Sequence, residues 1–237
     1  MPENAASDRV LLYLHGGGFV TKSPAVHRIF VAKLAQGADV HAFVADYRLA
    51  PENPFPAALD DAETAYRGLL ERGIPPNQIT IAGDSAGGNL AAALLLKLRD
   101  SGQPLPACAA LISALIDCTL PDADLAELEK YDPMLNRVQG KTWIQHYSQD
   151  HDLTDPLISP IFGDLSKLPP LLIHVGDHEI LLSQTKRFAQ KAQAAGVNTT
   201  LKVWEGMIHV FPLFAGFLPE GKTAIREISA FFRAHLN

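Results

Sequence analysis

Two periods of apolar and polar residues run along this chain, and where one gives way to the other marks out its elements. Val10–Leu14 is an almost unbroken apolar run, as expected of a strand covered on both faces. After the flexible loop His15-Gly-Gly-Gly-Phe19, helical spacing runs from residue 24 to about 36 and predicts an end near Gly37. Residues 40–45 repeat the strand pattern. The loop Asp46-Tyr-Arg-Leu-Ala-Pro-Glu-Asn-Pro-Phe-Pro56 has too many prolines to be helical, and Ala57–Glu71 restores the helical period as far as Arg72-Gly73. A short β-branched strand follows at 79–82, then a helix over 88–99 that is apolar nearly all round, as in a helix packed under a sheet. Further strands are predicted at 107–113, 171–175 and Thr199–Trp204, with helices at 183–195, stopped by Gly196, and at 223–236. Residues 117–151 are polar, irregular and helix-prone, and read as an excursion over the active face.

Strands alternating with helices of ten or more residues predict an α/β fold: a mostly parallel sheet of six strands covered by helices on both faces. No repeat, linker or low-complexity stretch divides the chain, so 1–237 reads as one domain. With 237 residues and 47% hydrophobic content it has material for a sizeable core. A net charge of −6 without any basic run argues against a nucleic-acid partner. The first residues lack a secretory pattern and no apolar run approaches the roughly 18 residues of a membrane span, so the expected compartment is the cytoplasm. Cys108 and Cys118 form no metal-binding spacing and read as buried free thiols.

Chemistry enters at Gly83-Asp-Ser-Ala-Gly87, between a strand and a helix. A serine on so sharp a strand-to-helix turn needs small residues two positions to either side, which this pentapeptide supplies. Ser85 is therefore the candidate nucleophile, and the first amide of the following helix, that of Ala86, is a candidate oxyanion donor. A serine hydroxyl needs a base and an acid to orient the base, in the chain order Ser, acid, His. Only His209 and His235 follow the last strand, and His235 is near the end of the terminal helix, so His209 is the candidate base. The acid is expected after the strand at 171–175, where Asp177 and Glu179 compete and spacing alone does not choose between them. The glycines Gly16, Gly17 and Gly18 can turn backbone amides towards a ligand and are the remaining candidate oxyanion donors. His174 and His178 are four apart with carboxylates nearby, but His174 falls on a strand, so the two would not share a helical face as metal ligands.

Taken together, His15-Gly-Gly-Gly-Phe19, Asp46-Tyr-Arg-Leu-Ala-Pro51, Gly83-Asp-Ser-Ala-Gly-Gly-Asn-Leu90, Asp155-Pro-Leu-Ile-Ser-Pro160 and Gly206-Met-Ile-His-Val-Phe211 resemble the hormone-sensitive-lipase family of α/β-hydrolases, most closely its bacterial esterases. The resemblance covers nearly the whole chain. It implies a serine carboxylesterase acting on small, short-to-medium acyl esters through an acyl-enzyme, with no cofactor and no metal. It also implies Ser85 as nucleophile, His209 as base, and Gly16, Gly17, Gly18 and Ala86 as the oxyanion hole. Members place the acid two or three residues beyond the glycine that closes the strand, which favours Glu179 over Asp177. Relatives often pair as homodimers through the last strand, here Thr199–Trp204. Members also carry a further stretch ahead of the HGGG strand that supplies cap helices and two more strands, so this chain reads either as truncated or as working with a reduced cap built from 117–151. Either way the strand at 40–45 becomes an exposed edge. Two other functions stay open: a small-molecule binding module on the same fold, against which the presence of His209 weighs, and an amidase using the same triad.

Overall fold

The computed structural model describes residues 8–121, 125 and 128–236. Its strands are β1 (Val10–Leu14), β2 (His41–Ala45), β3 (Ile79–Asp84), β4 (Cys108–Ile112), β5 (Leu171–Gly176) and β6 (Thr199–Trp204). The main helices are α1 (Pro24–Ala38), α2 (Ala57–Glu71), α3 (Ala86–Asp100), α4 (Arg137–Ser148), α5 (Leu182–Ala194) and α6 (Pro219–His235). The strands form one sheet in the order β2-β1-β3-β4-β5-β6, and every neighbouring pair is parallel. The α/β class expected from the alternating pattern is the one found.

The uninterrupted apolar runs are explained by cover on both faces. Val10, Leu12 and Leu14 of β1 enter a core shared with α2, α3 and α5, while Leu11 and Tyr13 enter another shared with α1 and α6. Each fully buried Leu in these cores contributes about 1.5–3 kcal/mol of transfer free energy. At the margin the pattern changes. Among the described residues strand β2 has β1 as its one neighbour, and its Phe43 and Val44 are 46% and 41% exposed, so the expected open edge is present there. A groove of about 580 Å3 runs between α1 and β2 on this side, lined in part by His27, Val31, Ala35 and Val44.

Three boundaries differ from the sequence reading for physical reasons. Helix α1 passes through Gly37 and closes at Asp39, which takes a left-handed φ of 57°. Gly37 serves close packing instead: a Cβ there would be 2.5 Å from the Ser229 hydroxyl of α6. Helix α3 begins at Ala86, directly after the serine, because the sharp turn leaves no room for a looser entry. Helix α6 begins at Pro219, whose missing N–H costs nothing in the first turn. Both predicted thiols, Cys108 and Cys118, are buried and free, and burial pushes each up to about 12. Among the described residues no helix is long and apolar enough to cross a membrane.

Because all six strands are parallel, their carboxyl ends lie on one edge, where the loops after β1, β3, β4, β5 and β6 meet.

Candidate active site

Ser85 leaves β3 with φ 52° and ψ −120°, a backbone conformation that costs an L-residue roughly 1–3 kcal/mol. The surroundings over-determine it. The Ser85 amide donates to Ile112 of β4 (2.9 Å), and its carbonyl accepts from Asn89 and Leu115, both at 3.1 Å. The flanking glycines are required by contact: a Cβ on Gly83 would be 2.2 Å from the Gly87 carbonyl oxygen, and one on Gly87 would be 2.0 Å from that of Leu14. The turn can close only because both positions lack a side chain.

From this turn a chain of hydrogen bonds leads across the sheet edge. His209 Nε2 is 3.0 Å from Ser85 Oγ, and its Nδ1 is 3.0 Å from Glu179 Oε2. With Nδ1–H donating to the carboxylate, Nε2 holds the lone pair that accepts the serine proton. Glu179 is fully buried, and its other oxygen, Oε1, accepts from the Gly176 amide (2.5 Å) and the Ser113 hydroxyl (2.7 Å). Burial pushes the Glu179 carboxyl up from the ordinary range, and the bonds from His209, Gly176 and Ser113 only partly offset it. Asp177 turns elsewhere and accepts the Gly206 amide at 2.7 Å. Of the two carboxylates the sequence offered, Glu179 is the one facing His209, since its longer side chain folds back under the strand end.

Ser113 is a residue the sequence reading did not single out. At the end of β4, with φ 47°, it donates to Glu179 and accepts from the Val210 amide at 3.1 Å. It thereby ties the acid to the loop that carries His209. The available signal was a hydroxyl at the carboxyl end of a buried strand, on the edge where the other candidates meet.

The glycine loop is held one peptide plane at a time. In a trans peptide the C=O of one residue and the N–H of the next point in opposite directions, so fixing one aims the other. In the plane between residues 15 and 16, the Tyr47 hydroxyl donates to the His15 carbonyl (2.5 Å), and the Gly16 amide donates to Asp84 Oδ1 (2.9 Å). In the next plane the Gly16 carbonyl accepts from His15 Nδ1 (2.8 Å), which turns the Gly17 N–H the other way. In the third, the Gly17 carbonyl accepts from the amides of Val20 and Thr21, which turns the Gly18 N–H away in the same manner. Among the described residues, neither the Gly17 nor the Gly18 amide has a partner. The Gly16 amide, expected as an oxyanion donor, is instead committed to Asp84 and ties the loop to the residue before the serine, while among the described residues the amides of Gly17 and Gly18 stay unpaired. His15 stacks on Tyr47 (centroids 4.2 Å apart, 13° between planes), and burial pushes its pKa down, which keeps the ring neutral with Nδ1–H as the donor.

In front of Ser85 is an apolar crevice of about 30 Å3, bordered by Gly18, Leu120, Leu135, Trp143, Ile144 and Leu181. Four of these six come from the stretch 117–151, which the sequence reading placed over the active face. Ala86 opens α3, so the positive end of that helix points its first amides at the same region. His174 is buried in β5 while His178 stacks on Tyr131 outside the core, so the two share no site. Among the described residues no group of three or more His, Cys, Asp and Glu side chains is placed to hold a metal ion.

Comparison with known proteins places this geometry in context. A profile of the alpha/beta hydrolase fold matches residues 11–213. An acetyl-hydrolase of Streptomyces hygroscopicus is 43% identical over 225 residues, which is 95% of this chain and 75% of that protein. An esterase of Acinetobacter venetianus is 39% identical over 228 residues, 96% of this chain and 75% of its own length. A crystal structure of an esterase from the bacterial hormone-sensitive lipase family superposes with a TM-score of 0.96 at 42% identity, covering 99% of this chain and 79% of the other.

Proposed function

For this chain, which belongs to the hormone-sensitive-lipase type of α/β-hydrolase and is a carboxylesterase, we propose that Ser85, His209 and Glu179 are the catalytic triad and that the amides of Gly17, Gly18 and Ala86 receive the oxyanion. The observation that carries this reading is the continuous path from Glu179 through His209 to Ser85, with both links at 3.0 Å.

Nε2 of His209 takes the hydroxyl proton as Ser85 Oγ attacks the ester carbonyl. The carbonyl oxygen becomes an oxyanion and accepts hydrogen bonds from the three amides. The tetrahedral intermediate collapses, the carbon–oxygen bond to the alcohol breaks, and His209 returns its proton to the departing alkoxide. A water molecule then gives a proton to the same nitrogen and attacks the acyl carbon; the bond to Ser85 Oγ breaks, Oγ takes the proton back from His209, and the acid leaves. Throughout, the Glu179 carboxylate holds the Nδ1–H tautomer and balances the imidazolium.

The substrate is a small ester with a short acyl chain. The crevice in front of Ser85 is lined by apolar side chains, among them Leu120, Leu135 and Trp143, which suits a short apolar acyl group. The test is hydrolysis of p-nitrophenyl butyrate by the 237-residue chain and by folded Ser85→Ala. We expect a fall in kcat of about 10⁴-fold or more. A Ser85→Ala protein that keeps its turnover would dismiss the triad.

A further inference from the structure

We propose that Asp84 and His27 form a buried ion pair whose task is to hold the glycine loop at its working angle, which makes both of them positioning residues for the esterase reaction; this rests on the triad and oxyanion assignments above. Asp84 is the residue just before the nucleophile, yet its carboxylate touches no member of the triad. Instead it gathers donors from three separate parts of the chain: the Tyr13 hydroxyl of β1 at 2.6 Å, the Gly16 amide at 2.9 Å, and Nε2 of His27 in α1 at 3.1 and 3.2 Å from its two oxygens. Asp84 and His27 are 2% and 6% exposed.

The protonation of His27 follows from its neighbours. Nε2 faces the carboxylate, and Nδ1 is 3.0 Å from the Ser23 carbonyl oxygen. A neutral imidazole has a single N–H, so one nitrogen would set a lone pair against an acceptor, whereas the imidazolium satisfies both. The pair is thus a charged clamp spread over both carboxylate oxygens, and charge-assisted bonds are roughly twice as strong as neutral ones. What it clamps is the first of the three peptide planes of the loop. Tyr47 holds the carbonyl side of that plane and Asp84 the amide side, so the direction in which Gly16 starts decides where the Gly17 and Gly18 amides point. Without the imidazolium, Asp84 becomes a buried charge lacking its counter-ion, and the donors around it, Gly16 included, shift to compensate.

His27→Leu in the full chain tests this. We expect kcat for p-nitrophenyl butyrate to fall about 10- to 100-fold with KM within about threefold, as for mis-aimed oxyanion donors. Affinity for an alkyl trifluoromethyl ketone, which forms a tetrahedral oxyanion on the serine, should weaken in step with kcat. Adding Asp84→Asn to His27→Leu removes the unpaired charge while leaving an amide oxygen for Tyr13 and Gly16, and should recover about tenfold of the loss. If His27→Leu does not fold, His27→Gln, whose amide still reaches the carboxylate, replaces it with a smaller fall of the same kind. The inference is overturned if a folded His27 variant keeps the parent kcat, if the ketone binds as tightly as before, or if Asp84→Asn brings no recovery. A Ser85→Ala protein with parental activity would overturn the triad instead, whatever His27 does.

Discussion

On either side of Ser85 a buried carboxylate faces an imidazole: Glu179 with His209, and Asp84 with His27. The carboxylates are equally buried and the contacts nearly equal in length, yet the two acids shift in opposite directions. Burial raises Glu179, and its hydrogen bonds recover only part of that. At Asp84 the same burial is outweighed by His27, Tyr13 and Gly16, and the carboxyl is held below its ordinary range. The far nitrogen of each histidine meets a different kind of group. Nδ1 of His27 faces a carbonyl, which accepts only, so the ring must keep both protons. Nε2 of His209 faces a hydroxyl, which can give its proton up. In the proposed triad and the proposed clamp, a proton shuttle and a fixed ion pair are thus built from the same two residue types, and the third group in line separates them.

The comparison is broken most severely by Glu179→Gln. The amide cannot both accept from Nδ1–H and keep its bonds from Gly176 and Ser113, so the favoured histidine tautomer is lost. We expect kcat to fall by roughly 10⁴, the size seen when the acid of a serine triad becomes an amide. Steady-state kinetics on folded protein decide it, and a fall below tenfold would mean that Glu179 does not orient His209.

Ser113→Ala is milder and sharpens the contrast. It removes one hydrogen bond to a charged acceptor, worth about 1.5–3 kcal/mol, so kcat should fall about tenfold or somewhat more. Its direction with pH is also set: a bond to the carboxylate form lowers the acid's pKa, so losing it moves Glu179 further up. Activity needs Glu179 ionised, so the acid limb of the kcat profile should move to higher pH. A limb that stays put, or moves down, contradicts the assignment.

The smallest effect concerns stability. Burial would push His27 down, but Asp84 and the Ser23 carbonyl hold it above its ordinary value. Its contribution is complete below the unfolded value of about 6.5 and is lost as pH rises through the higher folded value. Asp84 is lowered, so its contribution is complete above about 3.9 and is lost as pH falls through its lower folded value. Other titratable groups around His27 are Tyr13 and His15, and Lys22, Arg28 and Asp46, which share the groove lining with it. The gap in Tm between the parent and His27→Gln should therefore be widest between about pH 4 and 6.5 and should narrow towards alkaline pH. Thermal melts across that range would show it, and a gap that widens with pH would refute the ion pair.

Much of this was legible in the residues. The apolar runs predicted the six strands, and the spacing of Gly83, Ser85 and Gly87 predicted the elbow because the requirement is local and steric. Chain order singled out His209, whose Nε2 lies 3.0 Å from Ser85 Oγ. The second carboxylate pair was not legible, because the partners of Asp84 come from positions 13, 16 and 27 and only the sheet brings them together. Ser113 and the anchoring role of Gly16 were hidden for the same reason. Gly37 misled in another way: a glycine that ends a helix and one that lets another helix approach look alike in sequence.

The contacts around Gly83 and Gly87 also bear on how this chain can be evolved in the laboratory. Every amino acid one base change away from glycine carries a Cβ, and at these two positions that atom meets backbone oxygen at 2.2 and 2.0 Å. No point mutation there is gentle. A library sorted only for folded protein, with activity never assayed, would still return both glycines intact, so their retention in such a screen reports on the architecture of the turn and not on selection for ester cleavage.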